Sequence, residues 1–559
     1  MKRTTVLRAL GFFMVLVLLA ASLGTPASAQ DQSPDGGALL ETSSASVGAP
    51  TSETFASYDA PPPLTEEQAA RLKWAEENMG KSPNVDKSIN YEVAGPAAGT
   101  ESVGQEERPR SGAPLAPTDA VYYQWKNFGG VIPAGYKSNV METSTDGKST
   151  RIFATGNWFA ARSTNKGTTW TFVDPYSGYP DFCCDQVILH DVARDIYIWE
   201  RMAVPDASGN NTFKLTISYA NQFFVAPYTS WTYTFSPAGI NAAWANQWFD
   251  YPHMQLGPNY LFLSWNMFNA AGSFVRTLML KLPLNELAAA AGFSYSYYTN
   301  VDWFTFVPVS GASHAMYFAS NWDMSAPYDS LAIWRWNEID NGLVVWVKAV
   351  PAWTASGRGD LHCGTPNWLA RTDMRLLTGA RYNIYQAGGI DPWQPGRKIL
   401  GWWWNVAEDA VNFAYPYING AAFYEDTMTL LPGWIGRPYV YGGDCFAYPS
   451  FTPNSRGDLG GLFNYSYSPA WERPRVAYTM ADDVWGAPPG WALYAAASSL
   501  GGPSDAKWGD YNTTRTYQLG TTWIAGTHII PTVGNCANCS VPLFLAFGRE
   551  RDRPNYSKW

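Results

Sequence analysis

Short apolar segments separated by tight-turn residues dominate the chain from about residue 120 onwards. Val140–Thr143, Arg151–Thr155 and Trp158–Arg162 have the length and composition of strands. Asp146-Gly147 and similar pairs are typical of the turns between strands. Trp170–Val173 completes a group of four strands. We therefore expect an all-β fold, in which each group of four forms one antiparallel sheet.

A short motif recurs at a regular spacing. Trp248-Phe249-Asp250-Tyr251 returns as Trp508-Gly509-Asp510-Tyr511, so the two aspartates are four intervals of 65 residues apart. Further steps of this length reach Asp185, Ala315 beside His314, and Cys445 beside Asp444, whereas the step to Ala380 finds no matching motif. Such a period suits four-stranded blades around an axis, and chance agreement of a few aspartates is the alternative. We expect a β-propeller of seven blades, with six as the rival number.

One hairpin carries a family resemblance. The segment Ser163-Thr164-Asn165-Lys166-Gly167-Thr168-Thr169-Trp170 resembles the Asp-box, also called the BNR repeat, with Asn165 where the family usually has Asp. Asn165 and Gly167 suit the turn, Ser163 can bond its backbone, and Trp170 anchors the hairpin. The chain is thus similar to the sialidase-like β-propeller superfamily over about residues 120–550. The resemblance implies that Ser163, Asn165, Gly167 and Trp170 are structural.

The sequence departs from the sialidases where their chemistry resides. Sialidase-type hydrolysis uses an arginine cluster, a tyrosine nucleophile and acids for proton transfer. The resemblance implies an Arg-Ile-Pro tripeptide before the first blade, but Val131-Ile132-Pro133 stands there, and valine cannot bind a carboxylate. Positive charge in later blades comes from Arg371, Arg375, Arg381 and Arg437, which we interpret mainly as ion-pair residues. The resemblance therefore supports the fold and not the activity.

Residues at the predicted blade starts are the candidates for a ligand site. In a propeller the innermost strands begin near one mouth of the central channel, where their first side chains converge. The candidate ligand-binding residues are Asp185, Asp250, Tyr251, His253, His314, His362, Asp444, Asp510 and Tyr511. The alternatives are residues that only tie off turns, or a cation cluster at the mouth. We predict no cofactor and no dedicated metal site, with a structural calcium ion as the alternative.

The N-terminus has the pattern of a secretory signal. Lys2, Arg3 and Arg8 precede the apolar run Ala9–Leu23, and Ala27-Ser28-Ala29 is a cleavage motif. We expect residues 1–29 to be a signal peptide, with a membrane anchor as the alternative. Its removal would make the formal charge of -9 more negative by three. An acidic exported chain excludes nucleic acid as a partner, and we expect no membrane span after cleavage.

Residues 30–116 differ in composition from the rest of the chain. They are rich in Pro, Ser and Ala, and we predict a mostly disordered leader before a propeller domain at residues 117–559. Thr65-Glu66-Glu67-Gln68 is a capping box, which predicts one short helix over residues 65–79. We interpret it as a transient linker helix, with a docking or pro-segment helix as the alternative. Val121–Trp125 is a candidate strand to close the propeller.

Six cysteines in an exported chain predict disulfides. Cys536 and Cys539 lie close together in a loop and are expected to form a local bridge, rather than a zinc site. The pairing of Cys183, Cys184, Cys363 and Cys445, all at predicted blade starts, stays open.

Composition favours binding or structural roles for the aromatic residues, which make up 16% of the chain. Trp402-Trp403-Trp404 alternates between two faces of a strand, which favours packing between blades over a sugar platform.

We predict a secreted sialidase-like propeller that binds a glycan or an extracellular protein at the channel mouth. The alternative is a carbohydrate-active enzyme, exo-sialidase-like, with an altered active site.

Overall fold

The structure of the chain is a computed structural model. The structure describes residues 37–55, 57–58, 63–78, 121–133, 136–137, 141–226, 228–325, 328–353, 363, 368–369, 372, 374–383, 397–406, 415–431, 444–467, 473–481, 494–504, 507–517, 520–534 and 539–552. The predicted signal peptide at residues 1–29 lies outside these residues. In the part of the chain that is described, no helix is long and apolar enough to cross a membrane.

Strands make up most of the described structure, as the sequence predicts. In chain order they are β1 (Ala38–Leu40), β2 (Ser43–Val47), β3 (Thr51–Glu53), β4 (Ser57–Tyr58), β5 (Val121–Asn127), β6 (Ser144–Lys148), β7 (Arg151–Thr155), β8 (Ala160–Ser163), β9 (Thr171–Val173), β10 (Phe182–Asp191), β11 (Ile196–Ala203), β12 (Phe213–Tyr219), β13 (Ser230–Phe235), β14 (Gln247–Leu256), β15 (Tyr260–Asn269), β16 (Phe274–Pro283), β17 (Phe293–Asn300), β18 (Trp303–Phe304), β19 (Val307–Ser310), β20 (Ala315–Ser320), β21 (Trp322–Asp323), β22 (Ser330–Asn337), β23 (Leu343–Ala349), β24 (Leu376–Asn383), β25 (Lys398–Val406), β26 (Tyr417–Tyr424), β27 (Asp444–Pro453), β28 (Leu459–Tyr467), β29 (Arg475–Ala481), β30 (Tyr494–Ser498), β31 (Thr513–Thr516), β32 (Trp523–Ile529) and β33 (Val541–Arg549).

Helices are few and short. They are α1 (Glu66–Asn78), α2 (Ala220–Phe223), α3 (Pro237–Ile240) and α4 (Leu284–Ala288), with 3₁₀ turns at Gly129–Val131, Ala242–Trp244 and Glu550–Asp552.

Consecutive strands pair into antiparallel meanders, as the short apolar segments predict, but the first strand differs from the prediction. It is β6, Ser144–Lys148, so Asp146-Gly147 lies within a strand rather than in a turn, and residues 141–143 precede it. One meander runs through β6, β7, β8 and β9, the next through β10 to β13, and a third through β14 to β17. Strands β19, β20, β22 and β23 form another, followed by β24 to β26, β27 to β30, and β31 to β33. Strands β19 and β24 also pair in parallel over two residues, which joins two meanders edge to edge at their first strands.

The first strands of the meanders form a closed ring. Strand β6 contacts β10, which contacts β14, and the contacts continue through β19, β24 and β27 to β31. Strand β31 then contacts β6 again. Each sheet therefore runs outwards from a common axis, which is the arrangement of a β-propeller.

The ring is closed by strands from both ends of the domain. Strand β5 pairs antiparallel with β33 along its whole length, from Val121 opposite Arg549 to Asn127 opposite Leu543. The predicted closing strand is thus confirmed. It covers the outer edge of the last sheet with an N-terminal segment, so that edge is not left open.

The leader segment 38–58 does not match the prediction of disorder for residues 30–116. Strands β1, β2, β3 and β4 each add a fifth strand to the outer edge of a meander, pairing with β23, β17, β13 and β9 respectively. The segment therefore crosses four successive sheets as a belt. Edge strands offer free backbone hydrogen-bonding groups, and these groups order a polar segment that has little apolar surface of its own.

Glu53 fixes this belt through charge. Its Oε2 lies 3.1 Å from Nη2 of Arg201, and its Oε1 lies 3.7 Å from Nζ of Lys214. The Arg201 side chain is fully buried and also donates to the Pro175 carbonyl oxygen at 2.8 Å. Because a buried guanidinium needs a partner, Glu53 stabilises both the belt and the second meander.

Helix α1 follows the belt and docks against the innermost strand β10. The predicted capping box forms, since Gln68 N donates to Thr65 Oγ1 and Thr65 N donates to Gln68 Oε1. Nη1 of Arg71 lies 2.9 Å from Oδ1 of Asp181, and Leu72 is buried in the hydrophobic core around β10. Docked in this way, the helix matches the alternative interpretation from the sequence rather than a transient linker helix.

The three consecutive tryptophans lie in the core between sheets. Trp402 and Trp404 belong to one hydrophobic cluster and Trp403 to another, as strand alternation predicts. All three are fully buried, and Nε1 of Trp402 donates to the Val307 carbonyl oxygen at 3.0 Å. They pack neighbouring sheets together and offer no exposed face to a sugar.

The hairpin between β8 and β9 is held by the residues that the resemblance singles out. Gly167 N donates to Ser163 Oγ at 2.8 Å, and Thr169 N donates to Asn165 Oδ1 at 2.8 Å. Nε1 of Trp170 donates to the Gly167 carbonyl oxygen at 2.9 Å. Gly167 has a φ of +78°, which favours glycine. The hairpin is at the end of the sheet opposite to the start of β6.

Candidate functional site

A repeated backbone feature marks the ring where its innermost strands begin, an end that we call the channel mouth. The pairing register shifts between Cys183 and Gln186 in β10, between Asp250 and His253 in β14, and between Ala447 and Ser450 in β27. Each bulge contains one left-handed residue, and these are Cys184, Tyr251 and Tyr448. Such bulges re-aim the side chains beside them, which here turns them towards the mouth.

Four carboxyl side chains gather at the mouth from different sheets. Glu142 precedes β6 and hydrogen-bonds through its side chain to Asp185 of β10. Asp510 N, just before β31, donates to Oε1 of Glu142 at 3.0 Å. Asp250 of β14 acts electrostatically on Asp185. The exposed fractions of Glu142, Asp185 and Asp250 are 2%, 7% and 3%, so the group is almost completely removed from solvent.

The carboxyl pair of Glu142 and Asp185 retains a proton near neutral pH. Burial, and after it the charge of Asp510, raises the pKa of Glu142 to about 7. Burial, and after it the charges of Glu142 and Asp250, raises the pKa of Asp185 well above its ordinary value. Two buried carboxyls in contact cannot both ionise cheaply, so one protonated acid beside one carboxylate is the expected state.

Two tyrosines complete the polar centre of the mouth. The rings of Tyr251 and Tyr511 meet edge to face, with centroids 5.8 Å apart. The hydroxyl of Tyr511 has no hydrogen-bond partner among the described residues, although the side chain is only 8% exposed. Burial, followed by the charges of Asp185 and Glu142, raises the Tyr511 pKa well above its usual range. The hydroxyl therefore lies close to the carboxyl group and has capacity left for a ligand.

Positive charge at the mouth comes from Arg375 and Lys507. The Arg375 guanidinium carbon lies 3.9 Å from the centroid of the Tyr251 ring, a cation–π contact. Nζ of Lys507 lies 3.7 Å from Oδ2 of Asp510. Arg381 is instead held by Glu425 at 2.8 Å, as the ion-pair interpretation predicts. Arg371 and Arg437 lie outside the described residues, and the guanidinium of Arg515 lies below the mouth, where it interacts electrostatically with Tyr511.

An aromatic layer lies against the mouth. Trp368 contacts Trp508 with centroids 5.8 Å apart, and its Nε1 donates to Ser466 Oγ at 3.1 Å. Trp508 in turn stacks on His528, with centroids 4.2 Å apart. Trp368, Trp508, Tyr251 and Tyr511 belong to one hydrophobic cluster. This buried layer helps to keep solvent away from the acids.

Two disulfides lie in the same region and settle the open pairing. Cys183 bonds to its neighbour Cys184, directly before Asp185. Cys363 bonds to Cys445, which ties the segment before β24 to the start of β27. Cys539 is also disulfide-bonded, while its predicted partner Cys536 lies outside the described residues.

Some candidate residues do not join the acid group. His314 is exposed at the start of β20, a second strand, with Nδ1 3.1 Å from Ser313 Oγ. Asp444 begins β27 opposite Tyr467, four positions before the bulge. His362 lies outside the described residues. The steps of 65 residues miss the bulge in β27 because loops of unequal length separate the strands.

Two residues at the mouth, Glu142 and Tyr448, are not among the candidates from the sequence, and both lie at left-handed positions. Arg375, which directly precedes β24, was predicted only as an ion-pair residue. A signal for Tyr448 was present, since Phe446-Ala447-Tyr448-Pro449 repeats the pattern of Phe249-Asp250-Tyr251-Pro252. Glu142 and Arg375 have no such signal.

Below the mouth, the ring encloses a narrow channel. A cavity of about 40 Å³ is lined by innermost strands of six sheets, which contribute Val187, Pro252, His253, Met254, Gln255, Val307, Pro308, Leu377, Thr378, Gly379, Ser450, Tyr511, Asn512, Thr513 and Arg515. This volume accommodates water and excludes a sugar ring. His253 contributes a neutral imidazole, because burial lowers its pKa to about 3. A sugar-sized ligand therefore has to bind at the mouth and not within the channel.

The part of the chain that is described contains no evident metal-binding site. There, no group of three or more His, Cys, Asp or Glu side chains is arranged to hold an ion. The carboxyl groups at the mouth hydrogen-bond to one another and to backbone instead.

Comparison with known proteins gives distant structural similarity. No family model and no curated protein matches the sequence. The α-L-arabinanase of Penicillium chrysogenum, complexed with arabinobiose, superposes with a TM-score of 0.35 and 9% identity, over 78% of this chain and 99% of the arabinanase. The Trypanosoma rangeli sialidase in complex with the inhibitor DANA gives 0.31 and 10%, over 65% and 54%. A variant of the Synechocystis apocarotenoid oxygenase gives 0.36 and 11%, over 64% and 72%. These scores are too low to transfer an activity to this chain.

Proposed function

We propose that this chain is an exported seven-bladed β-propeller that binds a carbohydrate at the mouth of its central channel. The number seven is supported by the first strands in the contact ring among the described residues, which are β6, β10, β14, β19, β24, β27 and β31. Export is supported by the signal pattern at residues 1–29 and by disulfides, which persist outside the cytosol. Membership of the sialidase-like superfamily is supported by the Asp-box sequence at 163–170.

The observation that carries the binding proposal is the convergence on the mouth of polar groups from separate sheets. Carboxylates accept hydrogen bonds from sugar hydroxyls, and the Tyr511 hydroxyl has no partner among the described residues. The rings of Tyr251 and Trp508 are buried beneath these polar groups and form the apolar support of the mouth. A carbohydrate can bind to such a group of polar side chains, whereas a protein partner would need a larger exposed patch.

A second candidate function, cleavage of a glycosidic bond, is favoured by the Glu142–Asp185 pair. A protonated carboxyl beside a carboxylate can give a proton to a leaving oxygen, and a pKa of about 7 for Glu142 suits a general acid. Sialidase-type hydrolysis is not part of this proposal, since Val131 stands where the resemblance implies a clamp arginine.

The two candidates are separated by testing the secreted protein on a glycan array and on a panel of fluorogenic glycosides. Array binding without turnover supports the binding module alone. Turnover that Glu142→Gln abolishes, while array binding is kept, supports the enzyme. Absence of both binding and turnover would overturn the proposed function.

A further inference from the structure

The disulfide between Cys183 and Cys184 occupies an unusual place. It joins two adjacent residues within the bulge of β10, where Cys183 still pairs with Met202 and the next pair is Gln186 with Arg201. Cys184 is left-handed, with a φ of +63°. A cysteine with a positive φ is strained, so neighbouring residues have to stabilise this conformation of Cys184.

The equivalent bulges show how the chain solves this problem elsewhere. Tyr251 and Tyr448 are left-handed as well, with φ of +58° and +56°, and each is followed by a proline, Pro252 or Pro449. The proline ring fixes the backbone of the second bulge residue. In β10 this position is Asp185, which has no such restriction. In β10 the backbone is constrained from the preceding residue instead, because the disulfide bonds the left-handed Cys184 to Cys183.

A general stabilising role does not account for this bond. A disulfide stabilises a fold mainly by shortening the loop available to the unfolded chain, and the effect grows with loop length. Cys363 and Cys445 are 82 residues apart and can act in this way. Cys183 and Cys184 are one residue apart, so their bond restricts only the local backbone.

The residue that follows the bond is Asp185. Its carboxyl group reaches Glu142, and it is 7% exposed. We propose that the Cys183–Cys184 disulfide is a positioning element, which holds the β10 bulge in the one conformation that presents Asp185 to Glu142. The pair belongs to the proposed ligand site, so the biological meaning of this inference rests on the proposed function.

Helix α1 packs over the same position. Leu72 shares a hydrophobic cluster with Trp158, Cys183 and Cys184, and the two cysteines are 0% and 5% exposed. The bond is therefore shielded from a reductant in solution, and contacts between α1 and β10 place the helix beside it.

The test compares how thermal stability depends on pH in three variants. Several charged or titratable groups face the acid pair, namely Asp250, Asp510, Tyr511, Tyr251 and Lys507. A carboxyl whose pKa is raised on folding stabilises the fold while it is protonated, and this contribution is lost as pH rises through the folded pKa. The wild type should therefore lose melting temperature between about pH 5 and pH 7, through Glu142 and Asp185.

We expect Cys183→Ser/Cys184→Ser to show a shallower loss over this range, as Asp185→Asn does. The control Cys363→Ser/Cys445→Ser should lower the melting temperature by the same amount at each pH and keep the wild-type slope. A wild-type slope in Cys183→Ser/Cys184→Ser would overturn the proposal.

A glycine variant tests the proposal even if Cys183→Ser/Cys184→Ser does not fold. Glycine adopts a positive φ without strain, so Cys183→Ser/Cys184→Gly should recover part of the wild-type slope without a disulfide. If the melting temperature of this variant depends on pH no more steeply than that of Asp185→Asn, the result would also count against the proposal. Because this readout needs no ligand, failure of glycan binding would overturn the proposed function and leave the positioning role standing.

Discussion

Asp510 N donates a 3.0 Å hydrogen bond to Oε1 of Glu142, across a sequence separation of 368 residues. This bond joins the start of the last sheet to the start of the first, at the point where the ring closes. It also brings the carboxyl group of Asp510 to the Glu142–Asp185 pair, which already interacts with Asp250. The contact that closes the ring therefore also assembles the acid group.

Glu142→Gln should make stability less dependent on pH. The folded pKa of Glu142, about 7, lies above its ordinary value, so its stabilising contribution is present below about pH 4.5 and is lost as pH rises through 7. Glutamine keeps the shape and cannot ionise. We expect a gain of about 1–3 kcal/mol in unfolding free energy at pH 8 relative to the wild type. Urea unfolding at pH 5 and pH 8 measures this, with exposed Glu286→Gln as the control. An equal gain at both pH values would contradict the account.

Glu53→Ala should destabilise the fold through Arg201. Removing the carboxylate leaves a fully buried guanidinium without its ionic partner, which costs about 3–5 kcal/mol. The exposed neighbour Glu41→Ala is the matched control and should cost less than about 0.5 kcal/mol. Chemical unfolding gives the values, and hydrogen exchange should show faster exchange over residues 38–58. Equal stability of the two variants would show that the belt is not anchored by charge.

Leu72→Ala should loosen helix α1 without unfolding the domain. The substitution removes the side chain that packs against the core around β10, whereas Lys73→Ala changes an exposed position on the same helix. We expect reduction and alkylation of Cys183 and Cys184 to become at least threefold faster in Leu72→Ala, and to stay at the wild-type rate in Lys73→Ala. Mass spectrometry after timed alkylation gives the rates. Identical rates in all three proteins would show that the helix does not protect the bond.

Trp402→Ala should reduce stability and leave ligand binding intact. The side chain is fully buried between sheets, and its removal leaves a cavity that costs about 3–5 kcal/mol. Binding to the ligand identified on the glycan array, measured at a temperature where the variant is folded, should match the wild type within twofold. Selective loss of binding would instead make this tryptophan part of a sugar platform.

The sequence was most informative where a short local pattern has a single structural solution. Asp250-Tyr251 and Asp510-Tyr511 recur with the same local pattern, and both pairs lie at the mouth. Alternation was enough to assign Trp402 and Trp403 to opposite faces. A fixed period failed at Asp444 and His314, because the blades contain loops of different lengths.

Other features could not be predicted because they depend on distant partners. Strand β2 reads Ser-Ser-Ala-Ser-Val and has no strand pattern of its own. It is ordered by the free edge of β17, which a sequence does not display. Glu142 and Arg375 likewise carry no motif, and they reach the mouth only through closure of the ring.

The most direct test of the ligand site is to measure binding of the highest-affinity array oligosaccharide to the wild type, Asp250→Asn and Asp444→Asn. Both aspartates stand near predicted blade starts, but only Asp250 lies in the acid group at the mouth. The account predicts at least tenfold weaker binding for Asp250→Asn and unchanged binding for Asp444→Asn. Equal affinity in all three proteins, or a loss confined to Asp444→Asn, would contradict it.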